Sequence, residues 1–530
     1  MKRNRFFLLV SMSLALASMQ AQTSYEAAAL LDTDLNGTAR YVGMGGAMSA
    51  LGADLSTMST NPAGTALYRS CDAAFSFGGS GVVHQARSNS DKNRALTSYG
   101  SLDNGGLVIA CKHSNEDVLR FINFGFNYRN VKRFGGKMSM ASDLGNRFSQ
   151  TAQMAWQAYE NLDVYYEDFD PGNYEGFFQR NYYQEPWVGW LTLMGAQGFL
   201  IDGNALDEEL ISKGEYFYPS FDNSYSEVLS GGIDAYDFNL SLNLADAVYL
   251  GATLTKYSVD RKLESIYSET FDGGYYTLQN FYRTTGSGYD FKFGLILRPF
   301  SESSFRFGVS ATTPAVYKMR DYNSAILNSV VRLVDDKENE WMQSITIDTQ
   351  DAAAFGGDCY TDYTMVAPMK FNVSLGGTIG TSLALGAEYE YSDYGTTKLY
   401  YSDGVENADM NAHTGDNFCG QHTLRLGAEK TFGSFYTRLG YNYQTGGYKK
   451  DAWKMIPFNS VQTNTAYSNI RSTQNFTCGI GYHGNAFYVD AALLYSTQKA
   501  DFYPFENVDL QATELTRNLV KGMMTVGMRF

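Results

Sequence analysis

From about residue 70 to the end of the chain, apolar and polar side chains alternate with period two, the spacing of a strand that shows one face to each side of a sheet. The last segment is the clearest. Val520, Met524, Val526, Met528 and Phe530 share one face, while Lys521, Thr525 and Arg529 share the other. One face suits hydrocarbon and the other suits water. The alternation recurs in pairs joined by very short turns, which predicts hairpins. Phe238, Leu240, Leu242 and Leu244 lead into a turn at Ala245 and Asp246, followed by Val248, Leu250, Ala252 and Leu254. Similar pairs flank Gly380 and Thr381, Gly433, and Gly484 and Asn485.

The pattern predicts strands over 72–84, 96–111, 118–132, 233–244, 247–259, 281–298, 304–317, 364–379, 382–400, 420–431, 434–447, 470–482, 486–498 and 516–530. Connections after the even-numbered segments are short; those after the odd-numbered ones are mostly long, polar and acidic. That rhythm predicts an all-β fold, a 14-stranded antiparallel transmembrane β-barrel with periplasmic turns and extracellular loops. A soluble sandwich stack or propeller would also alternate. It would not keep the short and long rhythm, nor repeatedly reach the 9 to 11 residues that cross a bilayer.

Composition narrows the picture. The 530 residues include 40 Tyr and 34 Phe, an aromatic load suited to strands and interfacial belts. Tyr389, Tyr391, Tyr441, Tyr443, Tyr482 and Phe530 fall at strand ends on the lipid parity, where belt residues belong. With 41 basic and 56 acidic side chains the net charge is −15, which argues against a nucleic-acid partner. Beyond the N-terminus no apolar run approaches the length of a membrane helix. Residues 1–21 read as a signal peptide: Lys2, Arg3 and Arg5, an apolar stretch over 6–17, then small residues to Ala21. With the barrel rhythm, an export signal predicts the bacterial outer membrane.

Five cysteines without a C-x-x-C spacing do not form a disulfide framework. Cys359 and Cys419 fall outside the predicted barrel and allow one bridge, although free thiols are the expectation. The five histidines have no metal-ligand spacing. His422 shares the parity of Leu424 and Leu426, and His483 sits in a turn, so no catalytic triad can be assembled. The reading is a non-enzyme without cofactor or metal.

If the apolar parity faces lipid, the other parity lines a lumen. Asp290, Lys292, Arg298, Arg306, Glu388, Glu390, Arg425, Glu429 and Arg438 fall on it. Mixed signs on neighbouring strands favour ion-pair ladders that brace the wall over a specific ligand clamp. Residues 133–232 form the longest connection and carry Trp156, Tyr159, Phe177, Phe178, Trp187 and Trp190. These aromatics either line a ligand-capture groove or fold the loop into a small domain over the mouth.

Residues 22–70 differ in texture: small residues, few aromatics, and helix-like stretches at 26–31 and 39–51. This segment is read as an N-terminal hatch, or plug, ahead of a barrel over 71–530. Its Gly45 and Gly46 permit close backbone packing, and Asn61, Pro62, Ala63 and Gly64 read as a turn.

Gly45-Gly46-Ala47 with Asp54, then Asn61-Pro62-Ala63-Gly64, lie behind a signal peptide and ahead of fourteen strands. With Arg438-Leu439-Gly440-Tyr441 and Ala387-Glu388-Tyr389-Glu390-Tyr391, they resemble the FadL-type outer-membrane transporters of long-chain fatty acids and other hydrophobic compounds. The resemblance implies a monomeric barrel closed by a hatch. It also implies ligand capture at outer loops, binding in the lumen, and lateral release through a wall defect near the third strand. There Asn123, Gly125, Asn127 and Arg129 face inward, and Gly125 is the expected kink. The implied partners are a hydrophobic small molecule, outer-membrane lipids, and the barrel-assembly machinery through the C-terminal Phe530. The alternatives are a haem or porphyrin receptor, which the many Tyr but scattered His support weakly, and a structural or adhesive barrel.

Overall fold

The period-two segments form one closed antiparallel sheet. The computed structural model describes residues 21–113, 118–165, 182–185, 188–201, 218–334 and 338–530, with the backbone alone at 158–165 and 182. The strands are β1 Asp72–Arg87, β2 Lys92–Lys112, β3 Leu119–Arg133 continued by Gly136–Phe148, β4 Ser220–Leu244, β5 Val248–Phe271 and β6 Gly274–Leu297. There follow β7 Arg306–Thr312 continued by Val316–Val334, and β8 in three pieces, Glu340–Asp348, Cys359–Val366 and Lys370–Ile379. β9 is Leu383–Asp393 with Lys398–Tyr401, then β10 Gly420–Phe432, β11 Phe435–Thr445, β12 Tyr467–His483, β13 Phe487–Tyr503 and β14 Thr513–Arg529. The pieces of a broken strand keep to one neighbour, as both parts of β3 pair with β4, so nineteen segments make fourteen strands. The ring closes where Asp72 to Arg87 of β1 pair with Arg529 to Glu514 of β14.

The outward face marks the membrane. Along β5, outward Leu250, Ala252 and Leu254 give way to Lys256, Ser258, Asp260, Lys262 and Glu264. Along β6, Phe293 and Phe291 give way through Tyr289 to Ser287, Thr285 and Arg283. Lys256 and Tyr289 are register partners, so both strands leave the hydrocarbon at one height. A strand of 24 residues tilted by ~40° rises roughly 60 Å, more than twice the ~25 Å apolar band. The wall therefore continues far outside the membrane.

This corrects the expected loops. Residues 133–232 begin and end as strand, at Gly136–Phe148 and over 220–231, and the β5–β6 connection is only residues 272 and 273. Period two persists in these extensions, but with a charged outer face, so the lipid-type pattern stops before the strands do.

Two bodies fill the lumen. Residues 21–70 form the first, with α1 Ser24–Leu31, α2 Ala39–Gly43 and two 3₁₀ turns at Leu55–Ser59 and Pro62–Leu67. Thr23 and Thr38 cap the two helices by accepting Glu26 N–H and Tyr41 N–H. The helix expected over 39–51 stops at Gly43 because Gly45 and Gly46 take φ of +62° and +83°. The second body is a cap built on α3 Gln150–Tyr165 and α4 Trp190–Gln197. Trp190, Met154, Leu191 and Met194 of the cap are buried with Tyr225, Tyr267, Tyr276, Leu327 and Phe502 of the extended wall. None of the five cysteines is in a disulfide; Cys359 lies within the β7–β8 ladder and makes no bridge to Cys419.

Candidate functional site: the plug and the seam between two strands

The plug meets the wall backbone to backbone. Gly376, Gly386, Gly427 and Gly440 are successive register partners across β8 to β11, and all face inward. A Cβ on Gly440 would lie 2.1 Å from the Gly45 nitrogen, one on Gly427 2.4 Å from the Met44 oxygen, and one on Gly386 2.2 Å from the Ala47 oxygen. Across β5, β6 and β7 a second group receives the Asn61–Pro62 turn. A Cβ on Gly251 would sit 2.3 Å from the Pro62 carbonyl carbon, and one on Gly294 2.1 Å from Asn61 Oδ1. Asn61 also caps its own turn by accepting Ala63 N–H at 3.1 Å, and Pro62 opens that 3₁₀ turn. Gly64 packs on Thr57 within the plug.

Charges complete the attachment. Arg40 of the plug forks onto Glu429 with two bonds of 2.9 Å. Glu429 also accepts Arg438 Nε at 2.7 Å, and Arg438 reaches Asp490 at 2.6 Å. Glu388 accepts the plug's Ser49 N–H at 2.6 Å, and Arg306 donates to Leu51 O at 2.9 Å. Arg425 pairs with Glu390 at 3.2 Å, and Lys292 with Asp290 at 2.5 Å. The lumen-facing charges thus brace the wall, and several grip the plug. Arg298 departs from its expected place, donating to carbonyls of Ser301 and Ser303 in the β6–β7 turn.

The wall is incomplete between β2 and β3. The β2–β3 ladder runs from Lys112–Phe121 only to Asn104–Arg129. Above it, β2 pairs only with β1, and β3 only with β4. Residues 32–36 of the plug occupy this seam. Asp34 N–H donates to Val131 O at 3.2 Å, and Asn36 Nδ2 donates to Asn130 O at 2.9 Å and to Asp103 Oδ1 at 3.2 Å. Asn36 Oδ1 accepts Lys521 Nζ at 2.9 Å, and Asp32 pairs with Lys132 at 2.7 Å. Asp103 is turned inward by a register shift in β2. Backbone groups that a barrel neighbour would satisfy are satisfied by the plug.

Two chambers flank this segment. One, about 140 Å³, is bounded by Leu31, Leu35, Val131 and Ile233 on one side and by Arg129, Asp290 and Lys292 on another. The second, about 230 Å³, lies beside the β3 break, against Tyr25, Phe134, Tyr467, Phe502, Arg133 and Arg517.

A Pseudomonas aeruginosa FadL homologue of known structure superposes with a TM-score of 0.51 at 12% identity, over 94% of this chain and 99% of that one. This chain has the FadL-type barrel fold. The Ralstonia pickettii toluene transporter TbuX aligns over the same shares, 94% and 99%, with 12% identity and a TM-score of 0.49. No family model and no curated protein matches the sequence.

Within this FadL-type fold the other predicted residues separate. Gly125 faces inward as expected but is no kink: it is paired on both sides, and its missing side chain leaves room for the Met58 thioether, 3.0 Å from where a Cβ would be. The irregularities of β3 lie on either side of it, at 119–121 and 130–132. Trp190 is wholly buried, its indole N–H donating to Tyr183 O at 3.1 Å, so it holds the cap together and lines no groove. Trp156 is exposed. Phe177, Phe178 and Trp187, and the side chain of Tyr159, lie outside the described residues. Among the described residues no group of three His, Cys, Asp or Glu is placed to hold a metal.

Sequence reasoning missed Asn36, Arg40 and Glu26. Arg40, one of two basic residues over 22–70, is itself a signal among small residues, because a buried guanidinium must meet a carboxylate. Glu26 is bonded by Arg261 at 2.7 Å and Lys454 at 3.0 Å. Burial would raise its carboxyl, but the two cations outweigh burial and hold it at about 2.

Proposed function

We propose that this protein carries hydrophobic compounds inward across the outer membrane, with the plug segment 32–36 as the gate of a lateral exit between β2 and β3. One observation carries the reading: the edge of β3 at Asn130 and Val131 is hydrogen-bonded by the plug in place of the wall. A ligand that displaces this segment opens a side door into the membrane without unfolding a strand. The FadL-type fold, shared with a FadL homologue of known structure, supports apolar cargo, with long-chain fatty acids as one class. Both chambers fall below the ~300 Å³ of a typical small-molecule site. A long ligand therefore passes only when the plug yields, and this conformation is the closed one.

The side chains of Asn36 and Asp103 already meet at 3.2 Å. A disulfide between Asn36→Cys and Asp103→Cys should lock the seam and abolish uptake of labelled fatty acid or toluene by cells, with recovery on reduction. Uptake at the wild-type rate with the bond intact defeats the lateral exit. Equal uptake with and without the protein defeats transport altogether.

A further inference from the structure

The glycines that admit the plug have a counterpart on the outer surface. Across β8 to β11 the lipid-facing positions alternate small and large in register: Gly377 opposite Leu385, Ala387 opposite Leu426, Ala428 opposite Leu439. The small residues form the floor and the leucines the walls of an open apolar groove of about 960 Å³. Leu385, Leu426 and Leu439 are all exposed. The groove's apolar side chains lie on the lipid parity, its floor also takes in the backbone of the inward Gly376, Gly386, Gly427 and Gly440, and it extends to the periplasmic turns, at Ser303–Phe305 and Thr378–Ile379.

The next outward position beyond Leu426 and Ala428 on β10 is Lys430. Its ammonium donates to Ser382 Oγ at 2.7 Å and lies 5.9 Å from the Phe432 ring centre. Among the described residues no carboxylate pairs with it. Phe432 and Phe435, both exposed, flank the turn that follows and mark the headgroup level of the periplasmic leaflet. A cation on the lipid face is tolerated at this depth and reaches naturally for an anion.

We propose that this groove is a binding site for one phospholipid of the periplasmic leaflet, an acyl chain lying over Ala387 and Ala428 and the phosphate held by Lys430 with Ser382. The continuity of the groove with the bilayer-facing band supplies the chain, and the unpaired lysine at headgroup height selects the phosphate. Cargo leaving the barrel is the poorer occupant, because β10 stands half the ring of fourteen strands away from the β2–β3 seam.

Native mass spectrometry of the full-length protein, released from nanodiscs of phosphatidylethanolamine and phosphatidylglycerol, tests this. Wild type should retain one phospholipid. Ala428→Trp, which fills the floor, should lose it, and Lys430→Gln should reduce its occupancy at least fivefold. Ala491→Trp, on the lipid face of β13 outside the groove, should retain it. Heat-modifiable migration of each variant shows that its barrel is folded. Wild-type retention by both groove variants overturns the proposal, as does equal loss from Ala491→Trp. A retained species without phosphorus would assign the groove to cargo, and a dominant dimer lost in Ala428→Trp would assign it to a second copy; either overturns the lipid site.

Discussion

Plug and cap occupy the same lumen and differ in the balance of what holds them, although the plug too buries side chains such as Tyr25, Leu31 and Met44 against the wall. The plug rests its backbone on inward glycines and ties itself to the wall with charge pairs such as Arg40–Glu429 and Glu26–Arg261. The cap is held by burial of aromatic and aliphatic side chains around Trp190. Polar contacts exchange readily for water, whereas an apolar core loses its whole stabilisation when opened. The plug is thus the element built to let go, and the cap the element built to stay.

Removing the cap's anchor should break the comparison most severely. Trp190→Ala leaves a cavity under a fully buried ring and an orphaned Tyr183 carbonyl, a loss of about 4 kcal/mol from cap docking. Proteolysis should then cut within 149–201 while the barrel keeps its resistance to detergent. Next in size, Gly440→Leu drives a side chain against Gly45 N, costing plug docking about 3 kcal/mol. The expected readout is reversed: an intact cap, a protease-sensitive plug, and cells permeable to large antibiotics. If Trp190→Ala loosens the plug as much as Gly440→Leu does, the two bodies are one cooperative unit and the contrast fails.

Acid sharpens the contrast. Glu26 sits below its ordinary range, so its contribution is complete above about 4.5 and is lost as pH falls towards about 2. Beneath the cap, Glu269 of β5 accepts bonds from the cap's Ser149 Oγ and Gln150 N–H and from Ser220 Oγ and the Tyr267 hydroxyl of the wall, and burial pushes its carboxyl up. Its effect has the opposite sign, since protonation favours the packed form. The cap should therefore gain resistance to protease as pH falls towards about 4.5, and below that pepsin should cut the plug sooner while the cap holds what it has gained. Glu26→Gln should flatten the plug's dependence and weaken α1 docking by about 2 kcal/mol, because Gln keeps one acceptor oxygen but leaves two cations short of charge.

These differences explain what the sequence made legible. Fourteen strands and their parity were readable because a bilayer enforces apolar residues on alternate positions, as in Phe238 to Leu244. The extensions were not, since Lys256 to Glu264 alternate without an apolar outer face. Lumen charges such as Glu388, Arg425 and Arg438 were readable by parity, but their grip on the plug was not, because Ser49 and Leu51 contribute only backbone. Gly125 looked like a kink because a missing side chain reads the same whether it bends a strand or admits Met58. Trp190 looked like a collector because an aromatic in a long connection gives no sign of its burial. Asn36 carried no signal at all; its role exists only where two strands part.

The smallest effect belongs to the wall above the membrane, and it bounds the comparison from below. Arg283 and Asp260 face outward on β6 and β5, paired at 2.9 Å with about half of each side chain exposed. Geometry of this kind rivals that of Arg40 and Glu429, yet the environment differs, because water solvates both partners when the pair is broken. Arg283→Ala should therefore change thermal unfolding by no more than ~0.5 kcal/mol and leave cap, plug and uptake untouched. A loss approaching that of Glu26→Gln would mean that burial is not what separates strong pairs from weak ones here, and the distinction between plug and surface would have to rest on the glycine contacts alone.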